Sequence, residues 1–379
     1  MRDDPTVREG RTGARCARSV GAVLAAAVLV LALAACSSSS DSDADASSFE
    51  QVLTSIEGLA GEERRDRLVE LAQEQGGELS LYTSMGGDKV PAVVDAFEEA
   101  YDLDVAVYRA SSESIVPRLL EESKAGFHGA DVVRVQGLAM INLNDEGVLV
   151  DYASPQRDSL IEGSAAAGWT ADSYSTFAVT WNTDLVPAGE QPTSWEDLAD
   201  PRWKGRLAIE AGDVNWYAAL RKYWVEEAGK SEEEADRLFE AIARNALVVR
   251  GHTLLGQLMA AGEVALGPNY ASRADLLQEE GAPLAWKPAV EPLFPEPQGL
   301  GLVKGSQHPA AALLFVDWLL SDGQQILVEQ GSDSARRDLA PLPGVERRVI
   351  DVAEISADQK ALTESYDRLL RLGREAESG

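Results

Sequence analysis

ELSLYTSMGGDKVPAVVDAFEEAYDLDVAVYRASSESIVPRLLEESKAGFHGADVVRV, residues 78–135, decides the fold. Glu78–Ser84 is a short strand rich in β-branched and aromatic residues, and it runs into Gly86-Gly87. Val90, Val94, Phe97 and Tyr101 then recur on one face of a helix. LDVAVYRASS reads as a second strand. SESIVPRLLEESKAG reads as a second helix, with Pro117 expected in its first turn, and ADVVRV as a third strand. This β-α-β-α-β run requires parallel strands joined by right-handed crossovers. Ligands in such sheets sit beyond the carboxyl ends of the strands. Those ends carry Thr83, Ser84, Ser111, Ser112 and Gln136, which are small or neutral hydrogen-bonding residues. Arg109 at the end of the second strand is a candidate carboxylate or phosphate contact, or one half of a surface ion pair.

The 379 residues suffice for two cores, and the formal net charge of −29 argues against nucleic acid as a partner. Residues 1–35 read as a removable leader. Five arginines precede an uncharged apolar run, Val20–Ala35, which ends Leu33-Ala34-Ala35-Cys36. This end resembles a bacterial lipoprotein signal, which implies lipidation at Cys36 and a membrane anchor on the extracytoplasmic face. An uncleaved anchor is the other reading, although the run is short for a span. Loss of residues 1–35 leaves 29 basic and 60 acidic side chains. Cys16 leaves with the leader, so no disulfide is expected. Residues 36–48 (CSSSSDSDADASS) have no sizeable apolar side chain and read as a flexible tether.

Residues 49–76 read as two helices, broken near Gly61, on the outside of a first lobe at 77–182. YSTFAVTWNT alternates as a strand and leads out of that lobe. A second lobe at 183–292 repeats the α/β alternation, with Ser194 and Asp197 as a capping pair. EPLFPEP (Glu291–Pro297) breaks the periodicity and returns the chain to the first lobe. GLGLVKG is the returning strand within 293–331, and 332–379 is a C-terminal helical segment. The expected architecture is therefore α/β and two-lobed. Each lobe is a mainly parallel sheet flanked by helices, with a ligand cleft between them.

Second-lobe candidates follow from position. Asp213 opens the DVNWYAALRKYW helix and is either its cap or a ligand contact; Asn215 and Trp216 follow it. His252 opens a helix on the cleft side, and Tyr270 ends the EVALGPNY stretch. His128 and His308 read as a loop residue and a structural residue. The sequence offers no Cys or Ser nucleophile with a base, no His-x-x-x-His spacing and no phosphate-cradling glycine loop. Binding, and not catalysis, is the expectation.

Several separate stretches carry a resemblance: YTS, SSES, KAGFHGADVV, WEDLADPRWKGRLAI, RGHTLLGQLMAAGEVALGPNYASRADLL and GLGLVKGSQHPAAALLFVDWLLSDGQQ. Over Glu78–Gly331 the chain resembles the extracellular solute-binding proteins of ABC importers, of the ferric-iron-binding type. The resemblance implies a periplasmic-binding-protein-like fold that closes about a hinge. It also implies a permease and an ATPase as partners, a monomer, and a transported solute in place of a resident cofactor. Ferric members use a histidine, a glutamate and two adjacent tyrosines. The matching positions here are Gly86, Gln136, and Tyr270 followed by Ala271. Only Tyr270 is kept as a ligand to Fe³⁺, so the cargo is left open among iron, phosphorylated or phosphonate compounds and amines. The family's phosphate-holding turn matches Gly212-Asp213-Val214-Asn215, where Asp213 would repel an anion. A binding module that reports its solute to a membrane signalling partner is the alternative to an importer.

Overall fold

The computed structural model describes residues 49–87, 89–339 and 344–377. The leader, Cys36 and the Ser/Asp tether lie outside the described residues. Helices α1 (49–55) and α2 (Gly61–Glu74) come first. Then follow β1 (Glu78–Thr83), α3 (Val90–Tyr101), β2 (Asp104–Arg109), α4 (Ser112–Lys124), β3 (Val132–Gln136) and α5 (Gly137–Asp145). Two short strands, β4 (Leu149–Val150) and β5 (Ala165–Ala166), lead into the long β6 (Trp169–Asn182). The next elements are β7 (Leu207–Glu210), α6 (Val214–Lys222), α7 (Glu232–Asn245), β8 (Ala246–Val249), α8 (His252–Ala260), β9 (Leu266–Tyr270) and α9 (Ala271–Glu279). The chain continues with β10 (Leu284–Ala285), β11 (Phe294–Val303), α10 (Pro309–Leu319), α11 (Gly323–Glu329) and β12 (Asp333–Ser334), then α12 (Val352–Ala357) and α13 (Gln359–Glu377).

The strand order β2-β1-β3-β11-β6-β9-β7-β8 explains the two-lobed arrangement. At one end β1, β2 and β3 are parallel, and at the other end β7 runs parallel to β8 and β9. Between them β6 and β11 run antiparallel to each other. β3 pairs with β11 only over Gln298–Leu302, whereas β9 pairs with β6 only over Phe177–Trp181. The stretch between, Ser173–Thr176 against Pro295–Gln298, belongs to both lobes and forms the crossing.

Two expectations need correction. Glu291–Pro297 does not break the strand: β11 begins at Phe294, five residues before the expected GLGLVKG. The Pro295 carbonyl accepts from Ile350 N at 2.9 Å, so its ring nitrogen also points away from β6. The ladder to β6 loses no donor there, which is where a strand tolerates proline. Pro117 lies in the second turn of α4, not its first, because the helix already begins at Ser112.

Helix α10 is buried along its whole length. It lies between the sheet strands β1 and β11 and the outer helix α2, which is why its sequence is apolar on every face. The capping pair is present, with the Asp197 carboxylate accepting from Ser194 N at 3.1 Å. His308 is structural as expected, its Nδ1 2.9 Å from Asp131 Oδ2.

Candidate functional site

The site is built around a residue the sequence reading passed over. Glu296 sits on the crossing strand β11, opposite Ser175 of β6, and is 1% exposed. Asn215 Nδ2 donates to its Oε1 at 2.6 Å, and the Tyr270 hydroxyl donates to Oε2 at 2.8 Å. Gln136 Nε2, at the end of β3, reaches Oε2 at 3.4 Å and the Tyr270 hydroxyl at 3.5 Å. One carboxylate thus gathers a residue from the first lobe and two from the second. Burial raises the Glu296 pKa above the usual carboxylate range, against the hydrogen bonds from Asn215, Tyr270 and Gln136 and the charge of His252. Burial, with Glu296 and Asp213 nearby, pushes the Tyr270 phenol well above its ordinary value.

A second group stands beside it. Asp213 does not cap α6: its carboxylate makes no bond to the helix N-terminus. Oδ1 instead lies 3.0 Å from His252 Nε2, and Oδ2 is buried without a hydrogen-bond partner among the described residues. An ion partner outcompeted the backbone for this oxygen. Burial raises Asp213 to about 6, opposed by His252 and reinforced by Glu210 and Glu296. Burial alone would lower His252, but the charge and hydrogen bond of Asp213, with Glu210 and Glu296, lift it to about 9. His252 Nδ1 lies 3.0 Å from Asn269 Oδ1. Its ring packs on that of Tyr270 with centroids 3.9 Å apart, and Phe177 closes against both. Glu210, at the end of β7, accepts from the backbone N–H groups of Gly251 and Gly212.

Five sequence candidates therefore converge: Gln136, Asp213, Asn215, His252 and Tyr270. Trp216 does not join them. It is buried among Trp195 and Phe239, because position 216 on α6 faces the core. On the first lobe, Thr83 is fully buried, and its hydroxyl accepts from Met85 N at 3.0 Å. Ser84 is half-buried, with its N–H on the Arg134 carbonyl. Ser112 is buried and its hydroxyl accepts from Gln136 N at 3.4 Å. Ser111 is exposed, 3.2 Å from Ser114 Oγ. Arg109 is exposed, and its Nε donates to the Met85 carbonyl at 2.8 Å. Glu296, Glu210 and Asn269 were missed. Glu296 was hidden in a proline-rich stretch read as a connector, Glu210 ends β7 and Asn269 lies one residue before the end of β9, positions that gave no further signal.

The lobe–crossing–lobe frame with polar groups at its centre has known counterparts. A family model described as bacterial extracellular solute-binding protein matches residues 92–344. A Haemophilus influenzae protein of unassigned function is 28% identical over 279 residues, 67% of this chain and 76% of that protein. The Fe(3+)-binding periplasmic protein of Serratia marcescens is 21% identical over 299 residues, 73% of this chain and 86% of that protein. Among solved structures, the periplasmic binding protein AfuA from Actinobacillus pleuropneumoniae, with exogenous fructose-6-phosphate bound, superposes with a TM-score of 0.67. That match has 22% identity and covers 78% of this chain and 99% of the other. The Serratia and Actinobacillus proteins are named for binding, not for catalysis. With more than half its length inside the family model, the chain belongs to the bacterial extracellular solute-binding proteins.

Proposed function

We propose that this chain is the lipid-anchored substrate-binding component of an ABC importer, delivering to a permease and its ATPase a small solute that presents hydroxyl or ammonium donors to Glu296. The observation that carries this reading is the buried Glu296 carboxylate on the crossing strand, ringed by Asn215, Tyr270 and Gln136. The nearby polar groups are weighted toward acceptors. Asp213 Oδ2 and Asn215 Oδ1 are buried without partners among the described residues, and such atoms are costly unless a ligand satisfies them. A donor-bearing solute does so. The lipid anchor rests on Cys36 and the leader before it.

Ferric ion as cargo, as in the name of the Serratia relative, finds less support. Fe³⁺ wants anionic oxygen ligands, and here one phenol is held protonated against Glu296 while Gln136 is neutral. The hydroxyls of a sugar, as in the fructose-6-phosphate of the AfuA structure, suit the acceptor-rich wall, whereas Asp213 disfavours a phosphate beside it. Mass spectrometry of the solute retained through gentle purification tests the reading. A hydroxylated or amine-bearing molecule is the expected result. A retained ferric ion, with a charge-transfer band abolished by Tyr270→Phe, would overturn it.

A further inference from the structure

His252 is oriented from behind by Asn269. The Asn269 amide cannot be flipped, because Oδ1 accepts from Tyr270 N at 2.8 Å while Nδ2 reaches the His252 carbonyl at 3.4 Å. His252 Nδ1, 3.0 Å from that same Oδ1, must therefore carry a hydrogen. The other ring nitrogen, Nε2, points at Asp213 Oδ1 from 3.0 Å. A proton on Nε2 makes this an imidazolium–carboxylate pair; once that proton leaves, the Nε2 lone pair faces the carboxylate, a geometry that a bound cation can bridge.

Glu210 completes the arrangement. One oxygen of Glu210, one of Asp213 and a ring nitrogen of His252 lie within 4.8 Å of one another. The backbone N–H groups of Gly212 and Gly251 donate to the two Glu210 oxygens, and each oxygen keeps a further lone pair. Asp213, 4% exposed, has an unsatisfied Oδ2, which a metal ion would engage in place of a solute donor. Glu296 adds negative field to the same place. Two ligands about 2.0–2.1 Å from a tetrahedral metal stand roughly 3.3 Å apart. The His252–Asp213 gap needs to widen by only a few tenths of an ångström, and Glu210 has to move inward.

We propose that Glu210, Asp213 and His252 form a site for a divalent transition-metal ion, of the Zn²⁺ type, in the second-lobe wall of the cleft. One imidazole and two carboxylates suit such an ion and leave a fourth position for water or a donor atom of the solute. The Nδ1–H bond to Asn269 is the outer-shell bond that metal-bound histidines make. Mg²⁺ is a poorer match, because it prefers an all-oxygen octahedral shell. This site goes beyond the solute reading and does not depend on it.

The test is calorimetric titration of chelator-treated protein with Zn²⁺ alone, for the wild type, Glu210→Gln, His252→Gln and, as control, His128→Gln. Near-UV circular dichroism checks that each is folded. The expected result is one Zn²⁺ per chain in the wild type and the control, with affinity at least tenfold weaker in the other two. Anomalous scattering from Zn²⁺-soaked wild-type crystals gives an independent readout, a single peak beside His252 Nε2. Absence of saturable one-to-one binding, binding indifferent to both substitutions, or a peak elsewhere would overturn the site.

Discussion

Single residues make up the candidate site, and their legibility depended on whether position alone revealed them. Gln136, Asp213, Asn215, His252 and Tyr270 stand at strand ends or helix starts, where an α/β sheet puts its ligand groups, and all five gather around Glu296 and the Tyr270 ring. Glu296 has no such position. It lies inside a strand, between two prolines, and only the pairing of β11 with β6 shows that it faces Asn215 and Tyr270. Trp216 failed for the opposite reason, since one residue along a helix turns a side chain by about 100° and moved it into the core. The His252–Asp213 pair leads to a prediction for metal-free protein. The folded pKa of His252 is raised to about 9 from its ordinary 6.5, so the native state holds this proton more tightly than the unfolded chain. The resulting stabilisation is complete below about pH 6.5 and is lost as pH rises through 9. Denaturation midpoints measured across that window should fall for the wild type and fall less for His252→Gln. Equal slopes for the two would contradict the pairing.

At the scale of elements, the opening β-α-β-α-β run was readable because alternation and helical periodicity survive in β1 to β3. The start of β11 was not readable, because prolines at 295 and 297 mimic a loop. They are tolerated because β11's other edge is covered by the C-terminal segment, with Leu293 N on the Glu346 carbonyl at 2.9 Å and Ile350 N on Pro295. Alignment of the second-lobe site depends on a close approach of β9 to β7. A Cβ on Gly267 would stand 2.2 Å from the Ala208 carbonyl oxygen, a backbone atom that cannot swing aside. Gly267→Ala should therefore force β9 from β7 and cost about 1–3 kcal/mol, as overpacking does. It should also displace Asn269 and Tyr270 from Glu210. Chemical denaturation reads the first effect, and an unchanged midpoint would show that β9 has room the structure denies it.

The described residues form two parallel-stranded halves sharing two antiparallel strands, and their polar centre lies where those strands pass between the halves. The C-terminal segment adds a third tie. Helix α12 packs against α5 of the first half and α6 of the second, and α13 lies along α7 and β8. Tyr366 of α13 is buried and its hydroxyl donates to the Glu210 carbonyl at 2.6 Å. Nothing in the weakly periodic stretch after Ser332 revealed this role, since its partners are distant in sequence. Glu296 is the point at which both halves and the crossing meet, so it should couple solute binding to closure while contributing little to the fold. A buried carboxylate of raised pKa costs stability when ionised, so its neutral isostere removes that cost and also removes a charge-assisted bond worth about 1.5–3 kcal/mol to a donor-bearing solute. The most direct test is calorimetric titration of the identified solute into wild type and Glu296→Gln, with melting temperatures taken on the same samples. The account predicts affinity at least tenfold weaker in the variant, with a melting temperature equal to or above that of the wild type. Unchanged affinity in a folded variant would contradict it.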